Sequence, residues 1–372
     1  MRSSYLRIIS WSLLLISLIL IRIIRDSPSA GEYYARHIYP GIAGLLSSFS
    51  SLFPFSLGDC FLIGCILGIF IYLIRTVKKK GQRVQRLTNL LLFLGWIYVW
   101  FYAAWGLNYF RQDFYTRTGI PHQKYSPESF RIFLDAYTKE LNASYVPSKH
   151  RTAPDSAIRQ GYRSIAGEFG LISPESTLKA KSMLFSSWMS AVGVTGYMGP
   201  FFIEFNLNDE LRPEEYPAVY AHEMAHRLSI SGEAEANFYA WLVCTRSQEP
   251  AVRYSGNFFL LGYVLNNASR LLSEEEFQTF VKKIRPEIRE AFKANQLYWQ
   301  NKYHPYWGKV QHKIYNFFLK SNRIGSGTKN YSEVIGLIIS YQKHSERQTT
   351  AFPPGRPSAK IRSSFTEETG QA

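Results

Sequence analysis

A chain of 372 residues with 46% hydrophobic and 16% aromatic content exceeds what one small soluble domain needs, and its formal net charge is +15. No nucleic-acid-binding motif accompanies that charge, so it reads as membrane topology and attraction to anionic lipid, and no nucleic-acid partner is expected. The three cysteines, two of them inside an apolar stretch, exclude a disulfide framework and a cysteine-based metal site.

Three apolar stretches open the chain, at about 8–24, 53–74 and 87–107, each near the ~20 residues that cross a hydrocarbon core. Arg22 and Arg25 at the far end of the first favour an uncleaved anchor over a signal peptide cut near Pro28-Ser29-Ala30-Gly31. The linker between the second and third holds Arg75, Lys78, Lys79, Lys80, Arg83 and Arg86 with no acidic residue. By the positive-inside rule it is cytoplasmic, which puts the N-terminus inside and everything after about Tyr109 outside a bacterial inner membrane. Asp59 then falls at the outer interface.

The expected organisation is a membrane anchor over 1–110, a globular domain over 111–344 and a disordered, Ser/Thr/Pro-rich tail over 345–372. The expected fold is mainly α: three membrane helices, then an α+β domain with a small sheet and C-terminal helices. In the domain, Ser126 and Pro127 open an amphipathic helix over 126–141, and a second helix covers 154–169. Residues 178–208 read as β-structure: Leu178–Met189, a Gly-rich turn at 193–199, and a strand over 201–208. In that strand Ile203, Phe205 and Leu207 alternate with Glu204, Asn206 and Asn208, the period of a half-exposed strand. From Pro213 the chain reads mostly helical, and the apolar runs at Tyr239–Cys244 and Phe258–Leu265 are too short to span, so they are core helices.

The chemistry is concentrated in His222-Glu223-Met224-Ala225-His226, an H-E-x-x-H sequence. Positions i and i+4 of a helix share a face, so both imidazoles reach one tetrahedral Zn²⁺ while Glu223, one step on, sits beside the metal as a general base. Pro217 suits the first turn of that helix. Ser231 caps the next helix after a tight turn at 229–232. A third ligand is required, and Glu233 and Glu235 are the candidates; two residues apart on a helix, only one can face the metal. Glu233 is preferred, because Asn237 four residues on can then accept Nδ1–H from His222 or His226. An extended substrate would add to the strand carrying Glu204, Asn206 and Asn208, and Tyr263, His304 or Tyr331 could donate to the developing oxyanion.

H-E-x-x-H followed by a glutamate on the next helix resembles the glutamate-ligand branch of the zincin metallopeptidases, which implies zinc and a peptide or protein substrate. There an Asp follows the ligand glutamate at the offset where this chain has Asn237, and the spacer here is very short. Trp105-Gly106-Leu107-Asn108-Tyr109-Phe110, Gly199-Pro200-Phe201, the His222–His226 motif, Glu235-Ala236-Asn237-Phe238, Phe318-Leu319-Lys320-Ser321-Asn322 and Tyr331-Ser332 are similar to a bacterial membrane protein family, the domain of unknown function DUF3810. That resemblance implies the architecture; it implies no activity. Two functions follow as expectations: a membrane-anchored zinc metallopeptidase, or a zinc-binding, non-hydrolytic membrane protein of sensing or envelope assembly. The oligomeric state is not legible.

Overall fold

Backbone in lipid must satisfy its own hydrogen bonds, which makes helices of long apolar stretches. The computed structural model describes residues 2–78, 80–147, 150–151, 154–176, 178–322 and 333–351. The chain opens with α1 (Arg2–Asp26), α2 (Pro28–Tyr33), a π-helical turn at Tyr34–Ile38 and α3 (Tyr39–Ser50), followed by α4 (Leu57–Lys78) and α5 (Arg83–Ala104). Stretches of 22 residues at Tyr5–Asp26, Leu57–Lys78 and Arg83–Ala104 are long and apolar enough to cross a membrane. The α2–α3 segment, which sequence periodicity leaves unassigned, packs Tyr34, Tyr39 and Ala43 against Tyr102, Trp105 and Phe110 at the end of α5.

Three helix ends meet the rest of the molecule. Arg25, at the C-terminal end of α1, donates to the Ser321 carbonyl (2.6 Å), and Tyr102 near the end of α5 donates to Asn322 Oδ1 (2.7 Å). At the N-terminal end of α4, Asp59 accepts from the Leu184 amide (3.2 Å) and from the Tyr197 hydroxyl.

Then follow α6 (Phe114–Thr118), α7 (Pro127–Ser144) and α8 (Asp155–Phe169). Ser126 forms a capping box with Ser129 at the start of α7, and Gly170 in the left-handed region closes α8.

The β-region differs from its sequence reading. Only Lys181–Ser182 of the expected Leu178–Met189 strand pairs, as β1, and Ser186–Ala191 forms helix α9. Side chains decide this: Asn208 Nδ2 bonds the Ser186 carbonyl (3.0 Å) and Ser190 Oγ (2.9 Å), while Ser186 Oγ accepts from the Asp209 amide. Gly193 takes the left-handed turn (φ +80), but Gly196–Gly199 is strand β2 rather than turn. The last strand, β3 (Glu204–Leu207), is the middle of the sheet, order β1-β3-β2, parallel to β1 and antiparallel to β2. All four of its residues are buried, so the expected half-exposed edge does not exist.

At Glu204 a fixed set of partners overrides the alternation, while the Asn206 side chain is buried with no hydrogen-bond partner among the described residues. The Glu204 carboxylate accepts from Ser56 Oγ (3.0 Å), the amides of Leu57 (3.0 Å) and Gly58 (3.2 Å), and Lys181 Nζ (2.9 Å). It therefore caps the first turn of α4, where the orphan amides and the helix dipole favour an anion. Asn206 and Asn208 are fully buried beside it.

The remainder is helical: α10 (Tyr216–Arg227), α11 (Glu233–Thr245), α12 (Pro250–Leu271), α13 (Glu274–Lys283), α14 (Pro286–Lys302), α15 (Pro305–Ser321) and α16 (Val334–Ala351). Tyr239–Cys244 and Phe258–Leu265 lie within α11 and α12, and most of their residues belong to the main core. The expected tail begins inside α16, which continues to Ala351; residues 352–372 lie outside the described residues.

Candidate metal centre

Pro217 falls in the first turn of α10, whose missing amide costs nothing there, and the helix runs to Arg227. The turn after it takes up the carbonyls of Met224, Ala225 and His226, and the N-terminal part of the chain reaches the last two of the helix. The Trp105 indole donates to the His226 carbonyl (3.0 Å) and the Tyr39 hydroxyl to the Arg227 carbonyl (2.8 Å). Ser229 adopts φ +76 and turns the chain into α11. Ser231 does not cap α11; Gly232 holds the N-cap position, and Ser231 Oγ donates to the Asn108 carbonyl (3.1 Å).

This turn carries Glu233 onto the histidines. His222, His226 and Glu233 are buried, and one donor atom from each lies within 4.8 Å of the other two. His226 Nε2 stands 3.1 Å from His222 Nε2, and Glu233 Oε2 is 3.2 Å from the first-named ring's partner His222 and 3.5 Å from His226. Donors about 2.0–2.1 Å from one tetrahedral zinc ion stand about 3.3 Å apart, which these separations match. Two further observations fit a cation. Glu233 Oε2 has no aligned hydrogen bond despite its burial. His226 Nδ1 is 2.6 Å from the Ile230 carbonyl, so it carries the proton and leaves Nε2 its lone pair.

Glu235 is not part of this group. It pairs with the buried Arg117 on the other side of α11, and the three-donor group contains Glu233 in its place. Asn237 does not accept from either histidine; its Nδ2 donates to the Tyr263 hydroxyl (3.2 Å), Ile230 holds His226 Nδ1, and among the described residues none bonds His222 Nδ1. The second oxygen of Glu233 is instead held by the hydroxyl of Tyr315, on α15.

The ionisation of the group follows from its burial. In the metal-free site burial pulls His226 down, but the Glu233 charge outweighs it and pushes the ring up to about 9. Burial raises Glu233, yet the facing His226 and His222 hold it well below the usual carboxylate range. Glu223 moves the other way: burial lifts it above that range against the pull of the two histidines. A carboxyl poised upward and without a partner on Oε2 is suited to carrying a proton.

These side chains open on a cavity of about 680 Å³, lined among others by Thr195, Tyr197, Val219, Phe259, Tyr263, Gln311 and His312. A second, somewhat larger cavity of about 740 Å³ is lined by Arg111, Arg117 and Glu235; the three-donor group opens on the smaller one. Strand β2 edges the smaller cavity so closely that a Cβ on Gly196 would meet Glu223 Oε1 at 2.3 Å.

Of the expected hydroxyl or imidazole donors, Tyr263 lines the cavity, and burial raises its hydroxyl so that it stays protonated. His304 does not: it is exposed at the start of α15, where its amide bonds the Ala191 carbonyl (2.8 Å). Tyr331 lies outside the described residues. Glu204, Asn206 and Asn208 do not line the cavity, since β3 is covered on both edges; the edge strand at the site is β2. Sequence reasoning missed Tyr315, Gly196 and the role of Trp105. Tyr315 and Phe318 stand at core-like helical spacing, the one hint available.

No curated protein and no solved structure matches the chain. Residues 34–339, most of the length and including His222, His226 and Glu233, match the family described as "Protein of unknown function (DUF3810)", and the chain belongs to that family.

Proposed function

We propose that the protein is a membrane-anchored, zincin-like metallopeptidase that hydrolyses peptide bonds, with zinc held by His222, His226 and Glu233. The observation that carries this reading is the convergence of those three donors beside the carboxyl of Glu223, whose Oε2 has no hydrogen-bond partner among the described residues, in one cavity. Zinc in such a site supplies Lewis acidity for a carbonyl and makes water nucleophilic at neutral pH.

The chain's own residues do the rest. Glu223 takes the proton of the attacking water and delivers it to the leaving amine. Because Asn237 donates to the Tyr263 oxygen, the Tyr263 O–H is free to point at a developing oxyanion. The outer edge of β2 pairs with an extended substrate backbone, and Gly196 lets that backbone approach Glu223.

The basic linker after α4 supports an anchor in a bacterial inner membrane with the N-terminus inside. The three helix ends that this topology puts outside are those of Arg25, Asp59 and Tyr102, which touch the helical domain. The domain is therefore extracytoplasmic.

The test is Glu223→Gln in the full chain reconstituted in vesicles, assayed with a quenched-fluorescent peptide library and by elemental analysis. The variant keeps one zinc per chain and loses turnover by about 10²–10⁴-fold, the loss expected when a general base goes. Equal turnover by parent and variant, or no zinc in the parent, overturns the reading.

A further inference from the structure

Helix α15 has two faces with different jobs. Tyr315 on the inner face holds Glu233, and Gln311 and His312 reach the cavity. Successive residues of a helix turn by about 100°, so Tyr306, Val310, Ile314 and Phe317 share the opposite face. There Phe317 is 74% exposed, Ile314 65% and Tyr306 64%. Exposed Lys309, Lys313 and Lys320 run along one flank of that stripe. An apolar stripe with aromatics and a lysine border is the pattern of a helix lying in a bilayer interface.

The fold says where this helix lies. Its C-terminal end is bonded to α1 through Arg25 and Ser321, and Phe318 stacks its edge on Phe101 of α5 (6.0 Å between rings). At its N-terminal end the Trp307 ring is 6.4 Å from that of Trp188 on α9. One turn earlier, exposed Phe185 follows Leu184, whose amide is held by Asp59 at the start of α4. Both ends of α15, about 25 Å apart, are thus tied to the same ends of the candidate membrane helices. Phe185 and Trp188, 58% and 65% exposed, continue its apolar face.

We propose that the outer face of α15, continued by Phe185 and Trp188, lies in the interfacial layer of the bilayer that holds α1, α4 and α5, with Lys309, Lys313 and Lys320 on anionic headgroups. The mouth of the cavity then lies at the lipid surface, and its substrates are polypeptides tethered to that membrane. The inference rests on the anchor reading above and deepens it by naming the surface from which substrate arrives.

The experiment uses the full chain with Cys60, Cys65 and Cys244 replaced by serine, in vesicles of phosphatidylcholine with or without phosphatidylglycerol. Nitroxide labels are placed singly by Ile314→Cys, Phe317→Cys and, as an anchor reference, Ile66→Cys, whose native side chain is 65% exposed on α4. Accessibility to oxygen and to a water-soluble nickel complex reports lipid contact. The proposal expects all three labels to be accessible to oxygen and shielded from nickel. The labels at 314 and 317 should be shallower than the one at 66, and deeper with phosphatidylglycerol than without. Lys309→Gln, Lys313→Gln and Lys320→Gln together should remove that lipid-dependent difference; if it persists, the headgroup contact is wrong.

A lipid-embedded label at 66 with nickel-accessible labels at 314 and 317 overturns the proposal and leaves the anchor standing. Labels at 314 and 317 shielded from both reagents, with or without spin–spin broadening, mean a protein surface or a second copy covers α15, which also overturns it. A nickel-accessible label at 66 overturns the anchor reading, and this inference with it.

Discussion

The indole of Trp105 donates to the main-chain carbonyl of His226 at 3.0 Å, and the two rings meet edge to face at 6.4 Å. A residue leaving the third apolar helix therefore fixes the last turn of the helix that carries both histidines. Trp105→Phe keeps an aromatic ring and deletes the donor. The His226 carbonyl keeps the Ser229 amide (3.1 Å) and loses one of its two donors, worth about 0.5–1.5 kcal/mol. The expected result is a lower unfolding temperature in detergent with zinc still bound, checked by thermal denaturation and elemental analysis; an unchanged melting temperature would show the contact to be idle.

Gly196 is the second point of control. A methyl group there would collide with Oε1, Cγ and Cδ of Glu223, at 2.3, 2.6 and 2.7 Å. Gly196→Ala leaves the three metal donors in place and swings the carboxylate aside. A catalytic group displaced by about 1 Å loses about 10²-fold in rate, so kcat falls by that order while zinc content holds. Parallel loss of both would point to misfolding of the sheet instead.

Tyr315→Phe removes the hydroxyl that holds the outer oxygen of Glu233. Partners that orient a metal ligand contribute about 10–100-fold in affinity. Competition with a zinc chelator measures that change, and an unaltered dissociation constant would deny Tyr315 any part in placing the ligand.

In the chelated protein the pairing of His226 with Glu233 has a definite pH signature. His226 is raised from 6.5 to about 9, so its contribution to stability is complete below 6.5 and disappears as pH climbs through about 9. Glu233 is depressed below 4.5, so its contribution is complete above 4.5 and is lost on further acidification. The melting temperature with chelator should be highest between about 4.5 and 6.5 and decline toward 9. Zinc affinity runs the opposite way and rises over that range, because the metal displaces the His226 proton. Calorimetry in two series, with chelator and with zinc, tests both slopes.

Much of the site was legible because it is local. The i, i+4 spacing of His222 and His226 guarantees a shared face wherever the helix packs, and the short turn to Glu233 limits where a third donor can come from. Glu233 was preferred over Glu235 for an Asn237 contact that does not form; what sets the two apart is Arg117, which arrives from far away in the chain to pair with Glu235. Tyr315 was out of reach for the same reason, 82 residues from the ligand it holds. The β-region misled because alternation measures which side chains are polar, not whether their partners are water. Glu204 is as polar as a surface residue and completely enclosed, since the α4 amides and Lys181 replace solvent. The three apolar helices, by contrast, announce themselves through composition alone.

That enclosure of Glu204 bears on how the protein can be prepared. A fragment beginning at residue 111 would retain Lys181 but lose Ser56, Leu57 and Gly58, and with them three of the groups that neutralise the carboxylate. It would also lose Trp105 and Tyr39 from the end of α10. Folding of the domain that carries His222, His226 and Glu233 is thereby tied to the N-terminal helices, and a fragment without them lacks contacts on which both β3 and the end of α10 rest.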